Sequence, residues 1–166
     1  MPHMPAASHP HQGFVVKTVA ELLRKGNAHV PLDRALKDIP FELLGIRAGD
    51  GPHSIWELAE HIRIAQWDLL EFSRNPTHES PPWPEGYWPG AAAPPSPQAW
   101  QKTVDQIVGD RDAFIHLVET AGDRLYEIFP HGTGQSLLQE ALVLADHNSY
   151  HAGQVVLIRK MLGNWK

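Results

Sequence analysis

The stretch SLLQEALVLADHNSYHAGQVVLIRKML, residues 136–162, is the longest helix-forming run in the chain, and its pattern decides the fold. Leu137, Leu144, Val155, Ile158 and Leu162 recur on one stripe at helical spacing, so this stripe is expected to face a protein interior. His147 and His151 fall on the same side. Four residues is close to one helical turn, which points both imidazoles the same way and lets them grip one metal ion. A buried imidazole needs a partner for each ring nitrogen, and a metal ion with an acceptor behind it meets that need.

Working outward, the sequence predicts three more long helices and a short one. The first covers residues 14–27, with Val16, Val19, Ala20 and Leu23 at helical spacing, and a short helix follows over residues 32–39, bounded by Pro31 and Pro40. The second long helix, SIWELAEHIRIAQWDLLEFSR (residues 54–74), opens on Ser54 with Glu57 three residues later, the pattern of a capping box. The third starts at Ser96 with Pro97 in its first turn and runs to Ala121. Residues 123–129 fit either an extended piece or one more turn. The helices are expected to form an all-α, up-and-down four-helix bundle, with one long connection that alters the winding.

That connection, NPTHESPPWPEGYWPGAAAPPSP (residues 75–97), lies between the second and third long helices. Its prolines exclude regular helix, and Trp83, Tyr87 and Trp88 are costly to leave in water. It is therefore expected to pack back over one end of the domain as the wall of a pocket. Residues 14–166 read as a single domain, and residues 1–13, which carry His3, His9 and His11, as a flexible tail.

Composition narrows the chemistry. The 42% hydrophobic and 20% charged shares are those of an ordinary globular protein. A net charge of -5, with 14 scattered Lys and Arg, argues against nucleic acid as a partner. Arg159 and Lys160 read as merely closing the last helix. No apolar run is long enough to span a bilayer and the leader lacks a signal-peptide pattern, so no membrane association and a cytoplasmic location are expected. The chain has no cysteine, so a metal must be held by histidine and carboxylate.

Two histidines make a weak site, and among the eleven in the chain His61, in the middle of the second long helix, is the best third ligand. His116, four residues after Asp112, is a possible substitute. Glu57, one turn before His61, is a weak candidate for a general base, with helix capping its plainer role. Tyr150 is a weak candidate for an acid or oxyanion donor, with a place at the core rim as its plainer role. Asn148 and Gln154 could orient ligands or tie helices together. Asp146 is expected to face solvent, and Trp56, Trp67 and Trp100 to serve packing. Gly153 inside a helix costs about 1 kcal/mol relative to Ala, and close approach of another helix or the loop is its expected compensation. A di-iron carboxylate site would need Glu-x-x-His motifs, and the chain has none.

The segments HSIWELAEHIRIAQWDLLEFSRNP (residues 53–76) and DHNSYHAGQVVLIRKMLG (residues 146–163) resemble the DinB/YfiT-like superfamily, and HxxxHxGQ is the most specific part of the likeness. The stretch WPEGYWP (residues 83–89) is similar to a loop in one uncharacterised branch of that group. The resemblance implies a four-helix bundle with one divalent metal ion (Zn, Ni, Fe or Mn) on three histidines, here His61, His147 and His151. It implies a metal-dependent S-transferase or hydrolase, in which the ion activates a low-molecular-weight thiol or water for attack on a small-molecule substrate. Characterised members of the group include bacillithiol and mycothiol S-transferases and a mycothiol-dependent maleylpyruvate isomerase. An external thiol as nucleophile suits a chain without cysteine. Arg63, Arg74 and Arg124 are available to hold a thiol's carboxylates. A homodimer is also implied. The alternative expectation is a non-catalytic, stress-related module that binds a metal or ligand.

Overall fold

A computed structural model of the chain describes residues 10–165. His3 and His9 lie outside the described residues. Five α-helices carry the fold: α1 (Gln12–Lys25), α2 (Leu32–Leu36), α3 (Ile55–Arg74), α4 (Pro97–Thr120) and α5 (Leu137–Met161). No strand occurs among the described residues. The starts of α3, α4 and α5 follow their caps. Ser54, Ser96 and Ser136 each accept a backbone N–H from the third residue of their helix, and Ser54 and Glu57 complete the expected capping box.

The ends differ from expectation by a few residues, each for a local reason. The first helix begins at Gln12, so residues 12 and 13 belong to it and not to a tail, with His11 at its N-cap position. It ends at Lys25 because Gly26 takes the left-handed conformation (φ 66°) and returns its N–H to Leu22. The short helix stops at Leu36, since Lys37 is extended and Asp38 has a positive φ of 55°. Both readings of residues 123–129 hold in part: Gly122–Leu125 form a 3-10 turn, and Ile128 then makes an isolated antiparallel bridge with Ser136.

Packing departs from the simple up-and-down order. The second long helix, α3, packs along α4 and α5, and α1 packs along the same two, so α1 and α3 occupy opposite corners although they are consecutive long helices. The segment between them, including α2 and a 3-10 turn at Phe41–Leu43, spans that diagonal and docks α2 on α5. Arg159 supports this docking. Far from merely closing α5, its buried guanidinium donates to the carbonyl oxygens of Ala35 (2.8 Å) and Lys37 (2.9 Å) and to Asn164, capping the C-terminal end of α2.

The apolar core has two parts. One joins Val19, Leu23, Leu70, Phe114, Val118 and Leu144, and the other joins Leu36, Leu44, Leu58, Ile62, Ile107 and Val155. A polar layer separates them. In it Asn148 donates to Gln66 Oε1 (2.9 Å), and Gln66 donates to the Ile107 carbonyl (2.5 Å), so one chain of bonds ties α5 to α3 to α4. Asn148 thus holds the helix to its neighbours. The three helix histidines belong to this layer.

Candidate metal centre

Two helices bring the site together. His61 projects from α3 and His147 and His151 from α5, and one ring nitrogen of each lies within 4.8 Å of the others. His61 and His151 are buried and His147 is half-buried. The Nε2 atoms of His61 and His147 are 3.0 Å apart. Ligands 2.0–2.1 Å from a tetrahedral ion would be separated by roughly 3.4 Å, so small side-chain shifts suffice to admit one.

The second ring nitrogens set which atoms can bind. A carbonyl oxygen only accepts, so the contact between His61 Nδ1 and the Tyr87 carbonyl (3.0 Å) places a proton on Nδ1 and leaves Nε2 as a lone pair. His151 Nδ1 donates likewise to Gln154 Oε1 (2.7 Å), so Gln154 orients its neighbour's ring. His147 differs: its Nδ1 is buried without a hydrogen-bond partner, and so is the Oδ1 of adjacent Asn148. Burial pushes the His147 imidazole down to about 3, helped by repulsion from His151 and His61 and only weakly opposed by Asn148, which lies outside hydrogen-bond geometry. Burial likewise lowers His151 to about 4, and lowers His61 against the pull of the Tyr87 carbonyl. At neutral pH all three are therefore neutral imidazoles, the form a metal ion requires.

The proline-rich loop does form the wall that its aromatics suggested. Trp88 stacks between His61 (4.0 Å, 4° between planes) and His53 (4.1 Å, 11°). Tyr87 holds His61 through its carbonyl and donates its hydroxyl to Asp68 (2.5 Å), which also accepts from His78 (2.7 Å). Ser54 at the start of α3 donates to the Ala92 carbonyl and pins the far side of the loop. Between loop, α3 and α5 lies a pocket of about 550 Å³ onto which all three histidines open.

Other candidates fall elsewhere. Glu57 is occupied by its cap, accepting from Ser54 N (2.7 Å) and from Arg47, and does not line the pocket. His116 is exposed on α4 and stands apart from the three histidines. Tyr150 lines the pocket, edge-on to His151 at 5.0 Å and 65% exposed. Asp146 is exposed, as expected. Trp56 is buried, and Trp67 and Trp100 are half-buried. No element approaches Gly153: a Cβ there would meet nothing within 4 Å, so its expected compensation is absent. Arg63 is paired with Glu60, Arg74 with Glu71, and Arg124 donates to the Ala121 carbonyl; none lines the pocket. Two pocket residues escaped sequence reasoning. Asp68 follows His61 by seven residues, two helical turns, and that spacing could have exposed it, but His53 reaches the site only by stacking on Trp88 of the loop.

A sequence model of the DinB superfamily matches residues 31–155, three quarters of the chain and both histidine-bearing helices. The chain belongs to the DinB superfamily. No curated protein and no solved structure matches it. No helix among the described residues is long and apolar enough to cross a membrane.

Proposed function

We propose that His61, His147 and His151 hold a single divalent metal ion through their Nε2 atoms, and that the protein is a metal-dependent enzyme acting on a small-molecule substrate in the adjoining pocket. One observation carries this reading: three neutral imidazoles converge from α3 and α5 beside an open pocket, two of them with the second nitrogen already committed to an acceptor. A structural set of buried histidines would have no need of such a cavity, and a purely structural metal site would close its fourth position. The opening therefore supports a catalytic role over a non-catalytic metal-binding module.

A divalent ion so held would lower the pKa of a bound thiol or water at neutral pH. The chain's residues supply the rest. His61 and His151 keep fixed ring orientations through Tyr87 and Gln154, and Trp88 shields one face of His61 from solvent. Tyr150 stands at the pocket wall, where its hydroxyl can donate to a substrate oxygen. Thiol transfer and hydrolysis are the reactions this arrangement suits, with Zn, Ni, Fe or Mn as the ion.

For a partner we propose a second copy of the chain. Leu157 and Met161, one turn apart, are exposed on α5 beside the open Gly153 and outside the histidine pocket. Sedimentation velocity at micromolar concentration would show a dimer; a monomer throughout would overturn this part.

The deciding experiment is elemental analysis of untagged protein beside a His61→Ala, His147→Ala double variant. About one divalent metal per chain in the parent, and none in the variant, is the expected result. Equal metal in both, or none in either after refolding with metal, would sink the proposal.

A further inference from the structure

The pocket carries an unbalanced charge at the end away from the histidines. Among its lining residues Asp68 is the one acid; the others are histidine, aromatic, aliphatic or amide. Among the described residues no lysine or arginine lines it. Asp68 is buried and held firmly, with one oxygen accepting from His78 and the other from the Tyr87 hydroxyl, so each oxygen keeps a free lone pair. Behind it lies Glu140 of α5, 6% exposed, whose carboxylate has no hydrogen bond among the described residues. Burial and repulsion from Asp68 both raise the Glu140 carboxyl above the usual carboxylate range. Two neighbouring acids whose one basic partner is the His78 imidazole favour a ligand that brings a fixed cation. The walls agree, because Trp83 and Tyr150 line the same pocket and are 70% and 65% exposed, leaving ring surface for a cation to rest on.

We propose that Asp68 marks a subsite for a cationic group, and that the pocket takes amine-bearing ligands free of carboxylate. Seven residues of helix separate His61 from Asp68, roughly 10 Å along α3, which fits a ligand with its reactive atom at the histidines and its ammonium at Asp68. Thiols rich in carboxylates find no partner here: the three arginines that could have held them are paired or turned elsewhere. This inference rests on the reading of the pocket as the substrate site, and it deepens that reading by naming the substrate's charge.

The test uses metal-free protein at pH 8 and three probes of equal length, octylammonium, octanol and octanoate, followed by tryptophan fluorescence. Octylammonium should bind about tenfold tighter than octanoate, with octanol between them. Asp68→Asn, which keeps an acceptor for Tyr87, should remove most of that preference, and Glu140→Gln should weaken it. Octanoate binding as tightly as octylammonium, or an undiminished preference in Asp68→Asn, would overturn the subsite and leave Asp68 as a brace for the loop. Should Asp68→Asn fail to fold, by circular dichroism, Glu140→Gln takes its place under the same criterion. The probes carry no thiol and the protein no metal, so this result stands apart from the metal analysis that decides the proposed function.

Discussion

The Nε2 atoms of His61 and His147 face each other at 3.0 Å across the gap between α3 and α5. Only one of them can carry the shared proton. His61 spends its own on the Tyr87 carbonyl, so His147 donates from Nε2 and its buried Nδ1 is left bare. A metal ion would displace that proton to Nδ1, and beside it Asn148 Oδ1 is an acceptor without a donor. With a small side-chain adjustment that brings Asn148 Oδ1 into hydrogen-bond geometry, metal entry would relieve two buried groups at once, each of which costs about 1–3 kcal/mol when unsatisfied.

Metal should stabilise the fold measurably. At a free concentration one hundred times its dissociation constant, a ligand specific to the folded state adds about 2.7 kcal/mol, which for a domain of this size raises Tm by about 5–10 °C. Scanning calorimetry of chelated protein with and without added zinc would read this; unchanged Tm with every divalent ion tried would count against the site.

Gln154→Leu should weaken metal binding about 10–100-fold, because it removes the acceptor that fixes the His151 ring. Gln154 is half-buried at the pocket edge, so the melting temperature of the metal-free protein should hardly change. A competition titration against a chromophoric chelator measures the first quantity, and affinity equal to the parent's would remove Gln154 from the site.

The metal-free protein should lose stability in acid. His147 and His151 titrate at about 3 and about 4 when folded, below the ordinary histidine value near 6.5, because burial disfavours the cation. As pH falls below about 6.5 the unfolded chain takes up these protons first, so their contribution is fully present above that pH and declines towards pH 4 and 3. Urea midpoints measured from pH 7.5 down to 4.5 should fall, and should fall less in a His147→Leu, His151→Leu variant. A flat or rising midpoint in the parent would contradict the burial of these rings.

Gly109→Ala should stabilise the protein by about 0.5–1 kcal/mol. Gly109 is exposed inside α4, and a Cβ there meets nothing within 4 Å. Chemical denaturation of the variant reads the effect directly, and a lowered midpoint would show that Gly109 serves a contact absent from the single chain.

Much of this protein was legible from local chemistry. Serine caps, prolines and 3.6-residue periodicity placed all five helices within a few residues, because such signals act within one turn. The pairing of His147 with His151 is visible for the same reason. His61 needed more, since its distance from them is set by how α3 packs on α5, and resemblance supplied what periodicity left open.

Other features rest on contacts between residues far apart in the chain. Arg159 reads as a surface residue in a basic last turn, yet it is buried because α2 docks its free carbonyls there. Glu57 stands one turn from His61, and its carboxylate is nevertheless taken by Ser54 and Arg47.

The sequence by itself determined the helices, their apolar faces, the histidine pair and the presence of an aromatic loop, all of which follow from spacing and side-chain type over a few residues. Only the tertiary structure decided that α1 and α3 sit at opposite corners, that Trp88 inserts between His53 and His61, and that Asp68 lies in the same pocket. Those outcomes depend on the path of a proline-rich loop and on which helix faces meet, and no local pattern encodes the distance between groups that packing brings together.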